Sequence, residues 1–172
     1  GAVETARLCE DQAPSTSSED IGRITYVETI TVLDRQPADF GWNDTIVFFS
    51  NRENFFYDCP EELVDTAGGI LCFPNNYDYA DGQQLDEGFL RITALANYEG
   101  WNGMTEDKYL GQKAVWSDRL TEGALKILPS INRIDLERST LATDMFTPRT
   151  VKKYTGNLAG AIYGSHRKIR DG

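Results

Sequence analysis

Acid–base chemistry needs a titratable group held against a partner, and this chain has many carboxylates but one histidine. Glu61-Glu62 and the pair Asp135/Glu137 could move protons. In a chain with 27 acidic side chains, however, neighbouring acids more often keep a surface solvated. His166 lies in Ser-His-Arg-Lys, a hydrophilic turn, and reads as exposed and catalytically neutral. There is no Gly-x-Ser-x-Gly elbow to present a nucleophile. Cys9, Cys59 and Cys72 are odd in number and show no Cys-x-x-Cys spacing. They predict neither a disulfide framework nor a zinc site, and no metal ligand is assigned. Gly156, Gly160 and Gly164 recur every fourth residue. Glycine lets a backbone approach a flat ligand or adopt positive φ. The same spacing also fits a helix cap followed by a bend. A full Gly-x-Gly-x-x-Gly is absent, so the chain cannot build a dinucleotide pyrophosphate site by itself.

Aromatic residues offer a different kind of chemistry. Phe48, Phe49, Phe55, Phe56, Tyr57 and Phe73 cluster in sequence. They could line a cavity for a long apolar molecule, with Phe48, Phe56 and Phe73 as the candidate wall. They could equally be the inside of a sheet, the commoner fate of such residues.

The bulk composition narrows the partners. Of 172 residues 40% are hydrophobic and 26% charged, as in ordinary globular chains. A formal charge of −10 repels phosphate backbones and argues against nucleic-acid binding. The sign is uneven: from Arg149 onward six basic residues accompany one acid, Asp171. Such a tail is either a solvated face or a contact for anionic lipid or a cofactor phosphate. No apolar run reaches the ~20 residues of a membrane helix. A reducing, cytoplasmic setting is expected, with peripheral membrane contact through the basic tail as its one extension.

The elements that would position these residues alternate between strand and helix patterns. Residues 1–10 read as a short helix and 11–20 as a polar loop. From Ile24 to Leu33, Ile24, Tyr26, Ile30 and Val32 fall on one face and Thr25, Val27, Thr29, Thr31 and Leu33 on the other, a strand. Thr45–Phe49 is a second strand, and Asn54–Tyr57 is expected to return from it as a hairpin. Gly69–Phe73 and Phe89–Leu95 are further strands, and Ile131–Leu136 is expected to be one more. Thr105 caps a long helix whose Tyr109, Trp116, Leu120, Ala124 and Ile127 form one stripe, ended by Pro129. Thr147-Pro148 opens a compact helix that Gly156 closes. Gly160–Gly164 reads as a short strand or tight turn. The sum is an α+β fold: a mixed, mostly antiparallel sheet of about five or six strands covered by a long helix.

The stretch Asp144-Met-Phe-Thr-Pro-Arg-Thr-Val-Lys-Lys-Tyr-Thr-Gly156, with Gly160-Ala-Ile-Tyr-Gly164 and Lys168-Ile-Arg-Asp-Gly172, resembles the segment that precedes the C-terminal flavin motif in one family. That family comprises phytoene desaturases, carotenoid isomerases and retinol saturase-like flavoproteins. Leu95-Ala-Asn-Tyr-Glu-Gly-Trp101, with Tyr109 and Lys113 beyond it, and the opening Gly1-Ala-Val-Glu-Thr5 are similar to it as well.

The resemblance implies a fragment of a longer FAD-dependent oxidoreductase. Residues 1–20 would belong to a Rossmann-type FAD-binding domain, 21–140 to an inserted substrate-binding domain, and 141–172 to a segment returning toward the flavin. The missing N- and C-terminal segments of the FAD domain would be its immediate partners. The parent would desaturate, saturate or isomerise a long apolar, polyene or isoprenoid-like molecule, with FAD carrying the redox chemistry. Tyr154, Gly160 and Tyr163 would lie nearest the flavin. No catalytic residue is carried over, and the fragment is not expected to retain FAD. The alternative is a non-catalytic, acidic α+β module that binds a ligand or a partner.

Overall fold

The computed structural model describes residues 22, 24–54, 56–128 and 131–162, apart from the Asp81 side chain. The expected helix at 1–10, the loop at 11–20, Cys9, Pro129, Tyr163, Gly164, His166 and the basic residues 167–170 lie outside them. No described helix is long and apolar enough to cross a membrane.

The fold is α+β. Among the described residues five strands form one antiparallel sheet in the order β2-β3-β4-β1-β5. They are β1 (Thr25–Leu33), β2 (Ile46–Ser50), β3 (Gly68–Cys72), β4 (Gly88–Ala96) and β5 (Thr140–Phe146). The two longest strands, β1 and β4, pair along their whole length, from Thr25 opposite Ala96 to Leu33 opposite Gly88. Every described pairing between strands is antiparallel, so the parallel component expected of a mixed sheet is not found among them.

Among the described residues four helices accompany the sheet: α1 (Tyr98–Asn102), α2 (Glu106–Leu125), α3 (Arg133–Ser139) and α4 (Pro148–Thr155). Two-residue periodicity sends alternate side chains of each strand to opposite faces. On β4, Leu90, Ile92, Ala94 and Ala96 are buried, while Phe89, Arg91, Thr93 and Leu95 are only partly so. The buried set meets Val27 and Leu33 of β1, Leu71 of β3, Met145 of β5 and the helix side chains Trp101, Tyr109, Trp116, Leu120, Ala124 and Leu136. The core is therefore a single layer between one sheet face and the helices. Along α2, Tyr109, Trp116, Leu120 and Ala124 are the buried positions, and Ile127 packs on the core just beyond the helix.

Two expected elements differ. Asn54–Tyr57 is not described as a strand, because β2 pairs with β3 instead, Ile46 opposite Cys72 to Ser50 opposite Gly68. The intervening loop is clamped by Arg52, which donates from both Nη atoms to Asp65 at 2.7 and 2.8 Å. Ile131–Leu136 is not a strand either. Asn132 caps α3 by accepting from the Asp135 amide at 3.0 Å, and Leu136 is buried while Ile134 is exposed. An Asn cap with an acid three residues on is a helix-start signal that outweighed the local β propensity. The edge strand β5 was not anticipated: its side chains are mostly exposed, so Leu141–Phe146 carries little hydrophobic alternation.

α4 begins with Thr147 as cap and Pro148 in its first turn, and ends at Gly156 with φ 71°. A 3₁₀ turn, Leu158–Gly160, follows. It is stitched to the start of β1: Thr25 Oγ1 donates to the Gly160 carbonyl at 2.5 Å, and the Ile162 amide donates to the Ile24 carbonyl at 2.9 Å.

Candidate functional site

Among the described residues, buried side chains of α1, α2 and α3 gather on the core face of the sheet, and the composition of the second face is distinctive. Reading across the paired strands, one row runs Phe48, Ile70, Thr93, Glu28 and Phe146; the next runs Ile46, Cys72, Arg91, Ile30 and Asp144. Phe48 is 75% exposed. Large apolar side chains held that far out of a core are the informative kind of exposure.

At the end of this face nearest β2, a mostly apolar recess of about 430 Å³ opens over the sheet. Phe48, Phe56, Tyr57, Ile70, Leu95 and Ile162 are among its walls. The Arg52–Asp65 pair builds part of the rim. Asp65 is buried, and its Oδ1 also accepts the Ala67 amide at 3.0 Å, which fixes the loop in place. The Arg52 guanidinium then lies 4.6 Å from the centre of the Phe56 ring and holds that ring against the recess. Its proton is bound more tightly than usual, chiefly through the hydrogen bonds to Asp65, so it is a permanent cation.

The expected cavity residues are thus divided. Phe48 and Phe56 line the recess. Phe73 is 1% exposed and sits in the core, its ring 5.5 Å from that of Trp42. The preceding strand explains the difference: Cys72 faces the open side, so Phe73 follows on the core side. The residues expected near a flavin are also separated. Tyr154 is 73% exposed and borders a different groove, between α2 and α4. Gly160 adopts φ 57°, and a Cβ there would fall 2.4 Å from the Pro148 carbonyl oxygen. Close packing on α4 and the left-handed backbone thus require its glycine without any ligand. Tyr163 lies outside the described residues, although Ile162 just before it reaches the recess.

The groove between α2 and α4 encloses about 930 Å³ and gathers Lys113, Arg149, Lys152 and Lys153. Most of this charge is engaged. Lys113 donates to Asp144 at 3.0 Å, Arg149 to Glu106 at 3.0 Å, and Lys152 to the Tyr98 hydroxyl at 2.7 Å. Burial works against ionisation of Asp144, but hydrogen bonds from Lys113 and the Met145 amide outweigh it and hold the carboxyl below its usual range. The acid pairs singled out in sequence carry no such environment. Glu61 and Glu62 are exposed, and Asp135 and Glu137 serve the helix cap and an Arg133 ion pair. No group of three metal-ligating side chains comes together among the described residues.

Tyr57, one of the clustered aromatics read as a possible cavity lining, is in the recess, and Ile162 and Tyr26 join it without having been singled out. The signal of these two was contextual: Tyr26 lies on the partly exposed face of β1, and Ile162 reaches the site from beyond the last 3₁₀ turn. No family model matches the chain, and no curated protein matches it significantly.

Proposed function

We propose that this chain is the substrate-binding part of a flavin-dependent oxidoreductase acting on a long apolar, polyene or isoprenoid-like molecule. One observation carries the reading: an aromatic-rimmed recess lies on the open face of a sheet whose other face is a finished core. A rigid, flat, apolar wall suits an extended unsaturated hydrocarbon, whose binding derives from area removed from water. The resemblance of residues 144–172 to the pre-flavin segment supplies the redox half of the proposal.

FAD would supply hydride chemistry to such a site. The described residues do not fit its pyrophosphate: the Gly-rich turn is absent from the sequence, and Gly160 is consumed by packing on Pro148. Holding the flavin would fall to segments other than those described. The role of the described residues is to bind and orient the substrate and to exclude water from it.

The test is to extend the gene at both ends and purify the product. The account expects a Gly-x-Gly-x-x-Gly upstream and a second Gly-rich motif downstream, a preparation with flavin absorption, and bleaching of that absorption or turnover with an apolar polyene. A product without either motif and without flavin removes the oxidoreductase reading and leaves a non-catalytic apolar-ligand module.

A further inference from the structure

The open face is not uniformly apolar. Two residues along β4 from Thr93, which borders the recess, Arg91 stands on the same face, about 7 Å further on. Its Nε donates to Oε1 of Glu28, which is 7% exposed in the middle of β1. A buried carboxylate and its guanidinium partner on the paired strands β1 and β4 are costly to place there. Among the described residues no hydrogen bond or ion pair engages Nη1 or Nη2 of Arg91, whose side chain is 40% exposed. Beside it, opposite in register, is Cys72 of β3, whose Sγ lies 2.9 Å from the Tyr77 hydroxyl. The Phe89 amide donates to Asn75 Oδ1 at 2.8 Å, which pins the segment leading to Tyr77 against the sheet. The Tyr77 phenol is held above its ordinary value, first by its hydrogen bond to Cys72, and so keeps its proton.

Resting on the apolar-substrate reading above, we infer that the ligand of this face has one polar end bearing an uncharged oxygen, a hydroxyl or carbonyl, which Arg91 binds while the apolar body fills the recess. Charge balance selects the uncharged form. Glu28 already neutralises Arg91, so a ligand carboxylate would leave an excess negative charge under an apolar cover. A pure hydrocarbon would instead cover guanidinium N–H groups without giving them an acceptor. A hydroxyl or carbonyl oxygen satisfies them at no cost in charge. Arg91 is in this view a specificity-determining residue.

Three ligands with one branched C20 skeleton test this: phytane, phytanol and phytanic acid, each titrated against Nile red bound to the protein. Phytanol is expected to compete about tenfold more strongly than phytane, the effect of one hydrogen bond to a charged donor, and more strongly than phytanic acid. The double variant Glu28→Gln/Arg91→Met removes the buried charge together with its partner, so that neither is left unpaired. It is expected to abolish the advantage of phytanol over phytane, with phytane bound no more weakly than by the unaltered protein. Arg91→Lys, which keeps a cation for Glu28, serves as a control and is expected to retain part of the preference. Equal competition by all three, tightest binding by the acid, or an alcohol preference that survives in the double variant overturns the inference while leaving an apolar site intact. Failure of all three to displace the dye from the unaltered protein overturns the apolar-substrate reading as well.

Discussion

The two faces of one sheet use the same strands for opposite purposes. On the core face, Val27, Leu33, Leu71, Ile92 and Met145 are closed over by Trp101, Tyr109, Trp116 and Leu120, and water is excluded. On the open face, Phe48, Ile70, Thr93 and Leu95 border the recess together with loop residues such as Phe56 and Tyr57 and with Ile162. The strands alternate, so neither face can be altered by sliding a strand without exchanging it for the other. Substitutions on the first face should therefore be read as stability. Substitutions on the second should be read as binding.

The largest expected effect follows from the largest fully buried side chain among the described residues. Trp101→Ala removes a fully buried ring whose Nε1 donates to the Leu63 carbonyl at 3.0 Å. It should cost about 3–5 kcal/mol in urea unfolding. A loss below about 1 kcal/mol would mean that the helix layer is not the lid described.

Next comes a change of opposite sign on the same face. Thr29 is 0% exposed, and its Oγ1 has no hydrogen-bond partner among the described residues. Thr29→Val keeps the shape and removes an unsatisfied hydroxyl, so it should stabilise the fold by about 1 kcal/mol. Destabilisation would show that the hydroxyl is in use.

The smallest effect on stability is expected on the open face. Phe48→Ser should shift unfolding by no more than about 0.5 kcal/mol. It should nonetheless weaken binding of an apolar dye or polyene several-fold, because the ring forms one wall of the recess. Equal losses in stability and binding would erase the distinction between the faces.

Much of the core side was legible in the sequence. The alternation along β1 and β4 reflects burial on one face, and burial is what sequence periodicity records. The Thr147-Pro148…Gly156 pattern marks local backbone chemistry, which needs no tertiary context. The candidate site was legible only in part. Phe48 and Phe56 were visible as exposed-cavity candidates, yet Phe73, a neighbour in the same aromatic cluster, proved to be core. One residue of register separates these fates, and no property of phenylalanine encodes it. Glu28 and Arg91 interrupt two apolar strands at cross-strand diagonal positions, a signal that becomes visible only once the register joins them. β5 escaped notice because an edge strand with exposed side chains has hydrogen bonds as its main constraint, and those leave little trace in residue types.

The most direct measurement is saturable photolabelling of the protein with a diazirine-bearing C20 isoprenoid alcohol, followed by mapping of the modified residues. The account predicts labels on Phe48, Phe56 and Ile70 that are displaced by excess unlabelled alcohol and reduced by Phe48→Ser. Displaceable labels confined to the groove of Lys113, Arg149 and Tyr154, or labelling that no competitor reduces, would contradict the assignment of the open sheet face as the ligand face.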